Sequence, residues 1–302
     1  MLKNSKNLLL IFLLLTFLTS LWSDKIIFTD DLIEVEANPQ DRFLAEEIME
    51  HLPKLIDRFQ MEIGVYPKFK QKIYLSHDKE DFQNLVATFG GITEHSNAFY
   101  SRRGNIIYIK SFLEIGNSST FYQILHHEYI HAFIDYHFKD APLWFHEGMA
   151  IHFSRQFSTN MVYALGLDYI TNKLPSIATM EVKYPQDSSK LTSFYAKSAM
   201  AVDFLHEKNS SAFSLMFTTH PNFNIAFNKS FGFSKERFYY DFEEDFKHQI
   251  ILNAIYTGGT MLGLVFPLIF FWGWIRRLFK RRKEKPQRDA EESDDDDVII
   301  TL

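Results

Sequence analysis

Cysteine is absent from all 302 residues. The folded part is therefore built without disulfides, and no thiol is present to carry a cysteine-linked lipid anchor. Stability must come from packing and, where one is bound, from a metal. A strong charge bias is missing too. The net charge is only −6, because the basic run Arg276, Arg277, Lys280, Arg281, Arg282 and Lys283 is offset by the acidic stretch from Asp289 to Asp297. No basic patch of the kind that binds nucleic acid stands out, so no nucleic-acid partner is expected. Internal repeats are lacking, and the charged C-terminal tail is the only low-complexity segment. What remains, 46% hydrophobic and 16% aromatic residues, is ample for a buried core.

Two apolar segments are set apart from that core. Lys3 and Lys6 precede an apolar run from Leu8 to Leu18, with small polar Ser20 and Ser23 after it, so residues 1–23 read as a secretory signal peptide or an uncleaved anchor. The stretch from Ile250 to Ile275 carries no charge, contains Gly258, Gly259, Gly263 and Pro267, and ends with Trp272 and Trp274. It reads as a transmembrane helix over 250–275. The basic run that follows assigns residues 276–302 to a cytoplasmic charged tail and residues 24–249 to the outside of the cell membrane.

Between these segments the expected fold class is α+β: a small N-terminal α+β half over 24–116 packed on a helical zinc-binding half over 117–249. "KIIFTD" and "LIEVEA" alternate as strands do. A helix from Asp41 to about Phe59 follows, its apolar stripe formed by Phe43, Ile48, Leu52, Leu55, Ile56 and Phe59, with Pro53 predicting a kink or two shorter helices. "QKIYLS" reads as a strand, Lys79 to Thr88 as a helix, Gly90-Gly91 as a turn, and "NAFYS" with "NIIYIK" as a hairpin. After Gly116 the strand signal stops. Thr120, three residues before Gln123, has the spacing of a capping box and predicts a helix start there.

Inside that helix stands "HHEYIH", residues 126–131. His127 and His131 are four positions apart, so both imidazoles project from one face and can share an ion. A catalytic zinc takes three protein ligands and keeps one position open, while a carboxylate beside it serves as general base. The HExxH spacing supplies two ligands and, in Glu128, that base. A second acidic segment, "PLWFHEGMA", follows a break at Pro142.

Taken together, "HHEYIHAF" and "PLWFHEGMAIHF" resemble the gluzincin branch of zinc metallopeptidases, most closely the peptidase MA-like group, in which HExxH is followed on the next helix by a Trp-Φ-x-Glu-Gly segment. The resemblance implies a zincin-like fold, zinc as cofactor, His127, His131 and Glu147 as metal ligands, and Glu128 as general base. "SFYAKSAMAVDFL" is similar to the family's Tyr-bearing helix, which implies that Tyr195 donates a hydrogen bond to the oxyanion of a tetrahedral intermediate; the alternative is an ordinary core position on an amphipathic helix. "NIAFNKSFGFSKERF" is similar to its C-terminal helical segment, and "QKIYLSHDKEDF" with the hairpin to its N-terminal half. The resemblance thus runs from Lys25 to Gln249. It departs from thermolysin-like peptidases at Ile151, where those enzymes carry an aspartate that orients a histidine ligand. Another group must take that role, and Asp135, one turn beyond His131, is a candidate.

The other polar residues near the motif have ordinary readings. His126 points about 100° away from His127 and is a surface or packing residue. His146 is structural or exposed, with substrate contact as the alternative; His137, His152 and His206 have no metal spacing. Trp144 and Phe145 pack to fix the start of the Glu147 helix. The implied protein is a membrane-anchored zinc metallopeptidase acting on a peptide or protein substrate outside the cytoplasmic membrane. A non-catalytic envelope binding protein that keeps the zincin fold, or a membrane scaffold, are the alternatives, and the oligomeric state is open.

Overall fold

The computed structural model describes residues 25–89, 96–250 and 269–277. The chain divides into two compact units, Met1–Glu243 and Glu244–Leu302. In the second, the described residues 244–250 and 269–277 are helical.

The first unit starts with strands β1 (Ile26–Thr29) and β2 (Ile33–Ala37), then helix α1 (Arg42–Ile63), strand β3 (Gln71–Leu75), helix α2 (Lys79–Phe89) and a hairpin of β4 (Ala98–Ser101) and β5 (Ile106–Ile109). The sheet order is β1-β2-β3-β5-β4. The outer pairs are antiparallel and the inner pairs, β2 with β3 and β3 with β5, are parallel. Parallel neighbours need a crossover, which α1 and α2 supply. Strand alternation sorts the side chains. Ile33, Val35, Ile73 and Ile107 are buried on one side, while Tyr108 packs with Phe99 and with Phe82 of α2 on the other.

The regular elements of the first unit after β5 are helices: a short α3 (Phe112–Ile115), α4 (Ser118–His137), α5 (Leu143–Phe153), α6 (Thr159–Ile170), α7 (Leu191–Lys208), α8 (Ser210–Thr219) and α9 (Phe223–Phe231), with residues 235–243 also helical. The core here is aromatic, as a chain with 31 phenylalanines and no cysteine requires. Trp144 and Phe145 of α5 are fully buried; Phe145 meets Phe223 edge-on with centroids 4.9 Å apart.

The α+β expectation is therefore corrected: the first unit is mostly helical with one small sheet. The strands predicted in the N-terminal half are present, but each is only four or five residues long, and the connections between the parallel ones are themselves helices. The membrane expectation is corrected as well. Among the described residues no helix is long and apolar enough to cross a membrane, which overturns the span over 250–275 and the single-pass placement outside the cell membrane that rested on it. Residues 1–23, the Gly90-Gly91 turn, most of the 250–275 segment and the charged tail beyond Arg277 lie outside the described residues.

Two local expectations also change. Pro53 sits inside one uninterrupted 22-residue helix. Proline deprives the preceding turn of one hydrogen bond, yet Leu52 and Ile56 on either side are fully buried, so tertiary packing holds the helix through it. Phe43, by contrast, is 74% exposed and leaves the stripe. Helix α4 starts one turn earlier than Thr120 predicted, because the Asn117 side chain accepts from the amides of Ser119 and Thr120 and caps it there.

Candidate metal centre

Helix α4 is packed on several sides at once. Phe121, Leu125, Tyr129, Ile130, Ala132, Phe133 and Ile134 are all buried, and Tyr129 is tied to α1 by a bond from Gln60 Nε2 to its hydroxyl of 2.8 Å. His126 belongs to this packing. It is buried and meets Phe59 edge-on at 5.7 Å, away from the other two histidines. One narrow face of α4 stays open to α5, and it carries His127 and His131.

Helix α5 brings Glu147 to that face. Pro142 ends the preceding turn in extended conformation and Leu143 begins the helix, so the predicted break is where the chain turns. The residue after Glu147 has to be glycine. A Cβ on Gly148 lies 2.2 Å from the carbonyl oxygen of Ser198 and 2.7 Å from its carbon, because α5 crosses α7 backbone against backbone. That crossing sets the depth at which Glu147 enters.

His127, His131 and Glu147 form a group whose donor atoms all lie within 4.8 Å of one another. The two Nε2 atoms are 3.1 Å apart, Glu147 Oε2 is 3.8 Å from His127 Nε2, and Glu147 Oε1 is 3.9 Å from His131 Nε2. Two donors bound to one zinc at about 2.0–2.1 Å in tetrahedral geometry lie roughly 3.3 Å apart, so the triangle is close to what such an ion requires. The donors are in the right state. Burial holds His127 and His131 down to about 4, with the neighbouring histidine adding to it for His127 and Arg102 for His131. Their lone pairs are thus free, and the contacts to Glu147 are not ion pairs. Burial raises the Glu147 carboxyl, opposed by His127 and by the Tyr184 hydroxyl.

The group that orients His127 is Gln156, not a residue of either metal helix. Gln156 Nε2 donates to the Gln123 carbonyl at 3.2 Å, which turns its Oε1 towards His127 Nδ1 at 3.1 Å. Nδ1 must then carry the proton and Nε2 faces the other donors. Gln156 reaches this place through the end of α5. Arg155 is left-handed at φ 61°, its amide donates to the His152 carbonyl, and the Gln156 amide donates to that of Ile151. This is the Schellman arrangement, here without its usual glycine, and Arg155 is braced by Glu62 of α1 at 2.9 and 3.0 Å.

Asp135 does not take the orienting role expected of it. Its carboxylate is paired in two places with Arg102 of the β4–β5 turn and lies 3.5 Å from His146 Nε2. His146 is buried in that contact, its ring 5.8 Å from the His131 ring. The remaining histidines match their ordinary readings: His137 bonds the Phe217 carbonyl at 2.8 Å, His152 faces Asp203 at 3.6 Å and His206 packs on Phe213.

Glu128 is placed by the sheet. Its Oε2 accepts from the Tyr100 amide of edge strand β4 at 2.8 Å. Burial pushes its carboxyl up to about 8, with the Glu147 charge adding to the rise and the Tyr100 amide opposing it. Tyr195 of α7 is half-buried near the same two carboxylates. Burial raises its hydroxyl, followed by the charges of Glu147 and Glu128. Tyr184, which no spacing pattern marked, donates to Glu147 Oε1 from the segment before α7.

No protein-family model and no curated protein matches the chain. Among solved structures it is similar to native leukotriene A4 hydrolase from Saccharomyces cerevisiae, with a TM-score of 0.41 and 15% identity over 76% of this chain and 38% of that one. The chain thus spans less than two fifths of that enzyme's length. A likeness of this degree carries no weight for activity, and function has to be read from the site itself.

Proposed function

We infer that the protein is a zinc-dependent metallopeptidase in which His127, His131 and Glu147 hold the ion and Glu128 is the general base. The observation that supports this reading most is the pairing of three converging neutral-imidazole and carboxylate donors with a further carboxylate, Glu128, whose Oε2 accepts from a strand-edge amide. A site built only to bind metal needs the three donors and not the fourth group. The donor set fits zinc, which favours imidazole and carboxylate in tetrahedral sites.

When bound, the ion supplies positive charge that draws Glu128 towards its ionised form, acidifies a neighbouring water and steadies negative charge on the scissile carbonyl oxygen. Glu128, its Oε2 fixed by Tyr100, takes the proton of the attacking water through its other oxygen and returns it to the leaving amine. Gln156 keeps His127 in one tautomer throughout. Tyr195 donates to the oxygen of the tetrahedral intermediate, and Tyr184 orients Glu147.

Glu128→Gln tests this directly. The variant keeps an acceptor for Tyr100 but loses the base, so it should fold and bind zinc like the wild type while peptide hydrolysis falls by a factor on the order of 10² or more. Zinc content by mass spectrometry and cleavage of a broad peptide library are the measurements. Full hydrolysis in Glu128→Gln excludes Glu128 as the base, and a zinc-loaded wild type that cleaves nothing transfers the protein to the non-catalytic binding class.

A further inference from the structure

Beside the metal cluster, on the far side of Tyr100, lies a cavity of about 300 Å³. It touches the site at two places. The Tyr100 amide holds Glu128 while its ring lines the cavity, and Ala132, next to His131, forms part of the wall. The walls are aromatic: Phe69 is stacked on Tyr136 with centroids 4.9 Å apart, and the Tyr100 hydroxyl is anchored by Asn105 at 3.1 Å. The charged lining is Arg102, Lys139 and Asp135, two cations against one anion.

The surplus charge is available. Asp135 engages Nε and Nη2 of Arg102, which leaves the Nη1 group of the guanidinium uncommitted among the described residues. Lys139 is exposed; its ammonium acts on Asp135 through its charge and makes no hydrogen bond or close ion pair among the described residues. His146 lies 3.4 Å from Arg102 Nη2 but is not part of the cavity lining. An apolar slot with one net positive charge at its rim matches a residue with an aliphatic or aromatic stem and an anionic end.

We propose that this cavity is a substrate subsite that selects a carboxylate-bearing residue, with Arg102 and Lys139 as its specificity determinants. The inference rests on the peptidase reading for its use of the word substrate, but its test does not. A carboxylate can come from a glutamate or aspartate side chain, or from the free C-terminus of a peptide. In both cases the stem lies against the stacked pair of Phe69 and Tyr136 and the charge meets Arg102 Nη1 and Lys139.

The experiment measures binding of fluorescein-labelled hexapeptides to full-length, zinc-loaded Glu128→Gln protein by anisotropy. One arm compares internal glutamate with glutamine in C-terminally amidated peptides, and the other compares free and amidated C-termini in peptides without acidic side chains. In at least one arm the carboxylate peptide should bind roughly tenfold more tightly or better, the lower end of what a hydrogen bond to a charged group gives. That preference should weaken with salt and collapse in Lys139→Glu, whose exposed position leaves folding intact. Arg102→Gln is the second variant, checked by zinc content and melting. Equal affinities in both arms, no binding of any peptide, or a preference that survives in both variants would overturn the subsite. Failure of the wild type to hydrolyse the same peptides removes the peptidase reading alone, because the preference is read from binding.

Discussion

His127, Glu128 and His131 occupy two turns of one helix, whereas Glu147, Gln156, Tyr184 and the amide of Tyr100 reach the same point from four separate segments. The first set is positioned by the helical repeat: once α4 forms, His127 and His131 share a face with Glu128 beside it, whatever the rest of the chain does. The second set exists only when α5 has crossed α7, the end of α5 has turned back, and β4 has taken its place at the sheet edge. Local spacing therefore presents donors, and tertiary contact decides their depth, tautomer and protonation.

The sharpest way to break this contrast is Gly148→Ala. The added methyl meets the Ser198 backbone at 2.2 Å, a contact that no rotamer change relieves, so α5 must move or the fold must loosen. A loss of roughly 3 kcal/mol is expected from overpacking of this kind, read from denaturant midpoints with far-UV circular dichroism. A midpoint equal to the wild type would mean that α5 is not fixed at this crossing.

Removing a donor from the local set should cost less structure and more metal. His131→Ala leaves the helix spacing intact and should lose most of the zinc, together with the stability that binding contributes. Metal analysis after dialysis against micromolar zinc checks it, and full occupancy would exclude His131 as a ligand. A smaller effect is expected at Gln156→Ala, which leaves all three donors but frees the His127 tautomer. Zinc affinity should fall roughly tenfold, within the range for groups that orient a ligand, as measured by chelator competition. An unchanged affinity would show that the ring is held by packing alone.

The amount of the site legible in the sequence follows the same division. His127, Glu128 and His131 could be chosen because helical spacing is a local signal, and Glu147 because the segment after Pro142 resembles the gluzincin pattern. Gln156 could not, since its approach depends on Arg155 adopting a left-handed conformation that glycine ordinarily marks and that no glycine marks here. Asp135 had the right spacing to orient His131, but Arg102, 33 residues earlier, had already engaged it. Tyr184 and the Tyr100 amide carry no pattern at all. For the fold, alternation revealed the strands and the hairpin, while the balance between sheet and helix did not emerge because the strands are short. The apolar 250–275 segment was read from hydropathy and its flanking charges, and most of it lies outside the described residues.

The smallest expected effect lies outside the cluster and serves as its control. Asp168 is buried on α6, and although burial raises its carboxyl, Lys190 at 2.5 Å and Ser193 at 2.6 Å outweigh that and hold it below its ordinary 3.8. A carboxylate depressed in the folded state contributes stability that is fully present above the unfolded value and is lost as pH falls through the folded one. Unfolding free energy should therefore drop below about pH 4 in the wild type, and the slope should flatten in Asp168→Asn while zinc affinity at pH 7 stays the same. An unaltered slope would assign the acid sensitivity to other carboxylates.

Strand β4 ends the sheet with four residues, and the amide at Tyr100 that faces away from β5 is already engaged by Glu128. A free sheet edge is a template on which another chain can add a strand, and short length and charge are the common defences against it. Here the defence and the proposed base are one carboxylate. Self-association along this edge requires Glu128 to be drawn off its amide, so a molecule poised to accept a proton is also one whose edge is closed to further β-pairing at that position.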